Sequence, residues 1–351
     1  MSADATAAPP PSLRLKLDAE ALASNWQALD ALSGEDCATG AAVKANAYGL
    51  GVDQVIPVLS TAGAQVFYVA HWSEVADVAK HVPGTSIAVL HGPLTDADCA
   101  YARATGARPV LNSLPQIHRW LESGGGACDL MIDTGMNRLG VPMELLGQPE
   151  IGRLEIDTLM SHLASADEDV AQNAAQHQNF TAACVAVTAR RRSLSGSAGI
   201  ALGRPFCFDL TRPGLSLYGG VPRAELAGLI RQVAWPEAAI IQVRDLQPGD
   251  AVGYNATFTA SEPMRVGVVS LGYADGYLRC WSGKGMLRSA GLPLPILGRV
   301  SMDMVVADLS SAPELAEGDW LEVPFDLAAN AATTGLSQYE LLTVLGRRFG
   351  L

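Results

Sequence analysis

AAVKANAYGL, residues 41–50, carries an apolar strand straight into a lysine, Lys44, with a tyrosine, Tyr48, one short turn later. A lysine at the exit of a buried strand is partly desolvated. Burial disfavours the charged form, lowers the pKa of the amine and frees its lone pair to form a Schiff base with a carbonyl. Taken alone, the segment also fits an ordinary lysine snorkelling out of a strand end. The surrounding chain decides between the two.

Outward from this segment the pattern repeats. Short apolar runs recur between helix-like stretches at residues 40–44, 66–70, 86–90, 107–111, 128–132, 156–160, 192–196 and 207–211. Eight strands alternating with helices predict an α/β fold, a closed parallel (β/α)8 TIM barrel; the seventh and eighth runs are weakly apolar and rest on the count. An open doubly wound sheet normally carries a G-x-G-x-x-G turn after its first strand, and the turn after Lys44 has none. Polar residues stand at or just past the carboxyl end of each run: Lys44, His71, His91, Asn112, Asp133 with Arg138, His162, Ser197 and Arg212. In a barrel these ends share one face, where the chemistry is found. For His71, His91 and Asn112 a capping or loop-solvating role is the preferred reading.

The chain has 351 residues, more than the roughly 250 of a lone barrel, which predicts a second, smaller domain. From about residue 235 the texture changes to short β-like runs: AAIIQV (238–243), MRVGVVSL (264–271), PLPILG (293–298) and DMVVADL (303–309). No helix-length periodic segment is expected there before SQYELLTVLG (337–346). The predicted organisation is a flexible tail over residues 1–12, a barrel over 13–234 and a C-terminal mostly-β domain over 235–351. The alternating segment LRLKL, Leu13 to Leu17, is a candidate strand of that second domain although it lies at the other end of the chain.

Hydrophobic residues make up 49% of the chain and charged residues 17%, enough apolar material for a large core. A net charge of −12 repels phosphate backbones and anionic lipid, so nucleic-acid and membrane partners are not expected. The six cysteines are scattered, without C-x-x-C pairs or nearby histidines, which argues against a structural metal and against a disulfide framework. A reducing cytoplasm is the expected setting, and small-molecule work the expected task.

Eight segments then fall in order along the chain: Lys44 with Tyr48, MIDTGMNRLG (131–140), MSHLASADE (160–168), TRPGLSLYG (211–219), VGYNATF (252–258), LGYADGY (271–277), GRVSMD (298–303) and QYELL (338–342). Together they resemble the alanine racemase family of pyridoxal-phosphate-dependent barrel enzymes. The resemblance implies that Lys44 carries pyridoxal 5'-phosphate and exchanges the substrate α-proton on one face, and that Tyr254, from a second subunit, is the base on the other. It implies that His162 lies beside the cofactor and orients that tyrosine, and that Arg212 donates to the pyridine nitrogen and keeps it unprotonated. Related decarboxylases place a carboxylate there, so Arg212 argues for racemisation. The phosphate is expected on Ser197, the N–H groups of Gly214 and Leu215, and the phenols of Tyr48 and Tyr339. Arg138 is expected at the substrate carboxylate, with Met302 and Asp303 of the partner subunit beside it and Tyr273 at the entrance. Shared sites of this kind imply a homodimer, and the activity implied is supply of D-alanine, a peptidoglycan precursor.

One position departs from the family pattern. Many relatives have a lysine seven residues before Arg138 that becomes carbamylated and holds the guanidinium; this chain has Met131, which offers no anion. An anion, water or the neighbouring Asn137 is expected to hold Arg138 instead. Two further readings stand beside alanine racemase: a related racemase of broader or different specificity, and a non-catalytic barrel that carries pyridoxal phosphate.

Overall fold

A computed structural model describes residues 10–349 of the chain. It divides into two compact units, one formed by Ala19–Arg231 and the other by the flanking segments, up to Asp18 and from Gln232 onward.

In the first unit eight parallel strands close into a barrel. The first strand is broken at Gly40 into Ala38–Thr39 and Ala41–Ala42. Phe67–Val69, Ile87–Val89, Arg108–Leu111, Ala127–Asp133, Glu155–Met160, Arg191–Ser193 and Leu210–Thr211 complete it. Leu210 lies opposite Ala38 and Thr211 opposite Thr39, and the Ala42 N–H donates to the Pro213 carbonyl at 2.8 Å, so the last strand closes on the first. The weakly apolar seventh and eighth runs are real but short. Each occupies a rung or two, with Asp209 and Arg212 donating to the carbonyls of Arg192 and Ser195 at 3.0 and 2.8 Å. Helices cover the outside for ordinary reasons. Leu22, Trp26, Leu29 and Ser33 form one buried face of Ala19–Ser33. Asp96–Thr105 begins at Thr95, whose Oγ accepts the Asp98 N–H, and ends at Gly106 in the left-handed conformation.

The second unit is a seven-stranded sheet paired antiparallel throughout. Its longest strand, Ala234–Leu246, pairs on one side with Leu13–Leu17, Leu13 opposite Ala238 and Leu17 opposite Ala234. Met264–Val269, Val305–Asp308, Leu292–Leu297 and Met286–Ser289 follow in order, and Trp320–Glu322 returns to Ala234–Leu246. Residues 1–9 of the expected tail lie outside the described residues; Ser12, at its end, accepts the Ala239 N–H at 2.9 Å and bonds Ser270 through its hydroxyl. One helix was not expected. Leu327–Thr334 opens at Asp326, whose carboxylate accepts the Ala329 N–H at 2.9 Å, and closes at Gly335 with φ 77°. It buries only Leu327 and Asn330, too thin a stripe to register as apolar periodicity. Among the described residues no helix is long and apolar enough to cross a membrane, and all six cysteines are free thiols.

Candidate active site

A cavity of about 280 Å³ opens at the carboxyl ends of the barrel strands, with Lys44, Tyr48, Met131, Arg138, His162 and Arg212 in its wall. Lys44 is the first residue beyond strand pairing, since Val43 makes the last rung to the Tyr68 carbonyl at 2.9 Å. The chain then does something the sequence does not announce. Ala45, Asn46, Ala47 and Tyr48 take φ of 53°, 53°, 54° and 56°, a full turn of left-handed helix without a glycine. Each such residue costs about 1–2 kcal/mol. The turn is held by the Ala47 N–H on the Val43 carbonyl at 2.8 Å and by the Asn46 side chain, which accepts the Val52 N–H at 2.9 Å. It returns Tyr48 to the cavity that Lys44 faces. Burial lowers the pKa of Lys44, as do Arg138 and Arg212, while Glu74 opposes them.

His162 follows the sixth strand, with its ring exposed to the cavity. The protein packed around it strips solvent from the charged form, and Arg212, Arg138 and Lys44 add like charge, so its pKa is pushed down to about 3. The imidazole is therefore neutral at physiological pH. Arg212 is buried, and its guanidinium donates to the Ser161 carbonyl at 2.6 Å, to Ser193 Oγ and to the Leu194 carbonyl at 3.5 Å. Burial pulls its pKa down, with Tyr68 and Asp129 pulling the other way, but an arginine starts so high that it stays a cation.

At the exits of the last two strands a small polar cradle forms. Ser197 Oγ accepts the N–H groups of Gly214 and Ser216, both at 3.1 Å, and Ser216 Oγ is buried without a partner. Leu215, buried between them, begins the 3₁₀ turn Leu215–Tyr218. At Gly214 a Cβ would lie 2.3 Å from the Tyr48 hydroxyl oxygen, so any larger residue there must displace the phenol.

Arg138 sits on a loop organised by Asp133, whose Oδ1 accepts the N–H groups of Gly135, Met136 and Asn137 at 2.9, 2.9 and 3.1 Å. Its guanidinium makes no hydrogen bond or ion pair with any described residue, so the expected support from Asn137 is not there. Met131 is buried in the cavity wall. His91 also lines the cavity, its ring edge-on to that of His71 at 4.2 Å between centroids. Asn112 instead serves structure, donating to the Leu90 and Val110 carbonyls.

Tyr254, Tyr273, Met302, Asp303 and Tyr339 belong to the second unit. Tyr254 is 65% exposed and Met302 52%, unusual for large apolar groups. The loops of Tyr273 and Met302 are joined, with the Tyr273 N–H on the Ser301 carbonyl and the Ala274 N–H on the Met302 carbonyl, both at 3.0 Å. A Cβ at Gly272 would lie 2.2 Å from the Met302 carbonyl oxygen, so only glycine permits this approach. Arg348 pairs with both Asp303 and Asp275 at 2.7 Å, which pins the same loops. Tyr339 is exposed, on the short helix Gln338–Thr343.

Comparison with known proteins adds the family. Residues 17–222 match the alanine racemase N-terminal domain and residues 233–350 the alanine racemase C-terminal domain. An alanine racemase of Cereibacter sphaeroides is 42% identical over 95% of this chain and 96% of its own length. A biosynthetic alanine racemase of Agrobacterium fabrum is 39% identical over 96% and 92%. Among solved structures, alanine racemase from Bartonella henselae with covalently bound pyridoxal phosphate superposes with a TM-score of 0.88 at 31% identity, covering 97% of this chain and 99% of that one. The biosynthetic enzyme from Pseudomonas aeruginosa gives 0.84 at 30% identity, covering 97% and 98%. With both domain families matched in order and relatives aligned over almost the whole length, the chain belongs to the alanine racemase family.

Proposed function

We propose that this protein interconverts L-alanine and D-alanine with pyridoxal 5'-phosphate, using Lys44 and Tyr254 of the partner subunit as the two bases. The observation that carries the reading is one cavity holding a lysine of lowered pKa, a neutral histidine and a buried arginine. The residues fit the cofactor. Ser197 Oγ accepts the Gly214 and Ser216 N–H groups, which leaves its own hydroxyl hydrogen to donate, beside the orphaned buried Ser216 hydroxyl, and the glycine at 214 lets the backbone approach the Tyr48 phenol where a Cβ would clash. The Ser197 hydroxyl, the N–H groups of Gly214 and Leu215 and the phenols of Tyr48 and Tyr339 would hold the phosphate; Lys44 would hold the aldehyde end and Arg212 the ring nitrogen.

When bound, the cofactor supplies the electron sink that delocalises the pair left as the α-proton departs. Lys44, its pKa lowered by desolvation and by the facing Arg138 and Arg212, takes or returns that proton on one face of the substrate. Tyr254 of the partner subunit does the same on the other face, and the neutral His162 imidazole accepts its hydroxyl hydrogen bond and orients it. Arg212 keeps its proton and so leaves the ring nitrogen unprotonated, which restrains electron withdrawal and favours proton exchange over decarboxylation. Arg138, without a hydrogen-bond or ion-pair partner among the described residues, binds the substrate carboxylate. Exposure of Tyr254 and Met302 supports a homodimer in which each subunit completes the other's site, with Asp303 at the carboxylate and Tyr273 at the entrance. Six free thiols support a reducing cytoplasm as the setting.

The test is to incubate the purified protein and pyridoxal phosphate with single L-amino acids and to resolve the enantiomers formed. D-alanine from L-alanine is expected; fast racemisation of another amino acid with none of alanine would replace this reading. Loss of racemisation in Tyr254→Phe with cofactor binding retained separates an enzyme from a cofactor carrier.

A further inference from the structure

The left-handed turn after Lys44 needs support from outside itself, because four consecutive L-residues occupy a conformation they disfavour and the first of them, Ala45, has no carbonyl one turn back to receive its N–H. That support comes from Glu74. Its Oε2 accepts the N–H groups of Ala70 and His71 at 2.7 and 3.0 Å, at the exit of the second barrel strand, and its Oε1 accepts the N–H of Ala45. Capping the short turn Trp72–Glu74 accounts for Oε2 alone. The other oxygen crosses to the lysine's turn. Both carboxylate oxygens are thus committed to backbone donors on two different barrel loops.

We propose that Glu74 is a positioning residue for Lys44, tying the turn that carries the amine to the exit of the neighbouring strand and so fixing where the amine stands in the cavity. The proposal rests on Lys44 as the reacting amine. Only a carboxylate meets the geometry, because an amide has one acceptor oxygen and would set its NH₂ against a backbone N–H. Glu74 also acts on the charge of Lys44, against Arg138 and Arg212; His91, His162, Tyr48, Tyr68 and Asp133 are the other titratable groups around the amine.

The experiment compares the full-length wild type with Glu74→Gln by amide hydrogen exchange on the segment 43–50 and by alanine racemisation. In the wild type the Ala45 amide is expected to be protected and shifted downfield by its carboxylate partner. In Glu74→Gln that segment should exchange about tenfold faster or more, with other barrel segments unchanged. The kcat should fall about tenfold or more while KM for alanine moves less than about threefold, since the amine and not the substrate contact is displaced. A wild-type Ala45 amide that exchanges like an open one overturns the proposal whether or not the variant folds. So does a Glu74→Gln enzyme with wild-type protection and kcat. A wild type that racemises no alanine would sink the functional reading instead, leaving the exchange measurement to judge the clasp alone.

Discussion

Gly214 and the Tyr48 hydroxyl meet so closely that a Cβ on residue 214 would lie 2.3 Å from the phenol oxygen. The contact joins the exit of the last barrel strand to the left-handed turn that follows Lys44, so the phosphate cradle and the reacting amine are set by one piece of packing.

Gly214→Ala should therefore push Tyr48 aside and disturb the Ser197 cradle while leaving the barrel folded. The expected outcome is a cofactor dissociation constant raised about tenfold or more, read by absorbance or fluorescence titration of the cofactor-free chain. Unchanged affinity would mean that the cradle is elsewhere.

His162 bears on stability as well as on chemistry. Its pKa in the folded chain is about 3, below the ~6.5 of an unfolded histidine, so the unfolded state binds more protons between those values. This contribution to stability is present above pH ~6.5 and is lost as pH falls from there towards 3. Urea midpoints at pH 7 and pH 4.5 should differ less in His162→Gln than in the wild type; an equal difference would indicate an imidazole that titrates normally.

Arg212→Lys keeps a positive charge but cannot reach Ser161, Ser193 and Leu194 together. We expect kcat for alanine to drop about a hundredfold, a loss of ~2.7 kcal/mol of transition-state stabilisation. A variant within threefold of wild type would remove Arg212 from the proposed chemistry.

Arg138 has no hydrogen-bond or ion-pair partner among the described residues, so its donor fork is available to a substrate carboxylate. Arg138→Ala should raise KM for alanine about tenfold or more, with the smaller effect on kcat. Steady-state kinetics at saturating cofactor decide this; a kcat effect alone would point to a role in positioning.

The sequence carried the barrel in its eight apolar runs, because alternation of buried strands and helices is a local pattern. It carried the cavity in the polar residues that end those runs, since a closed barrel brings all its strand exits to one face. What stayed hidden was local geometry without a side-chain signature. KANAY reads as an ordinary turn, and nothing in its residue types announces four left-handed φ values. The expectation that Asn137 would steady Arg138 failed because the loop is organised from the other side, by the Asp133 carboxylate on backbone N–H groups. The helix Leu327–Thr334 was missed because its signals are a cap at each end rather than a periodic apolar face.

The central claim is that Lys44 of one subunit works against Tyr254 of another. Lys44→Ala and Tyr254→Phe should each be inactive as homodimers. Mixed in equal amounts and allowed to exchange subunits, they should recover about a quarter of wild-type activity, because half the dimers are hybrids and each hybrid has one intact site. If the two residues served a site within a single chain, no hybrid could contain an intact pair and no activity would return.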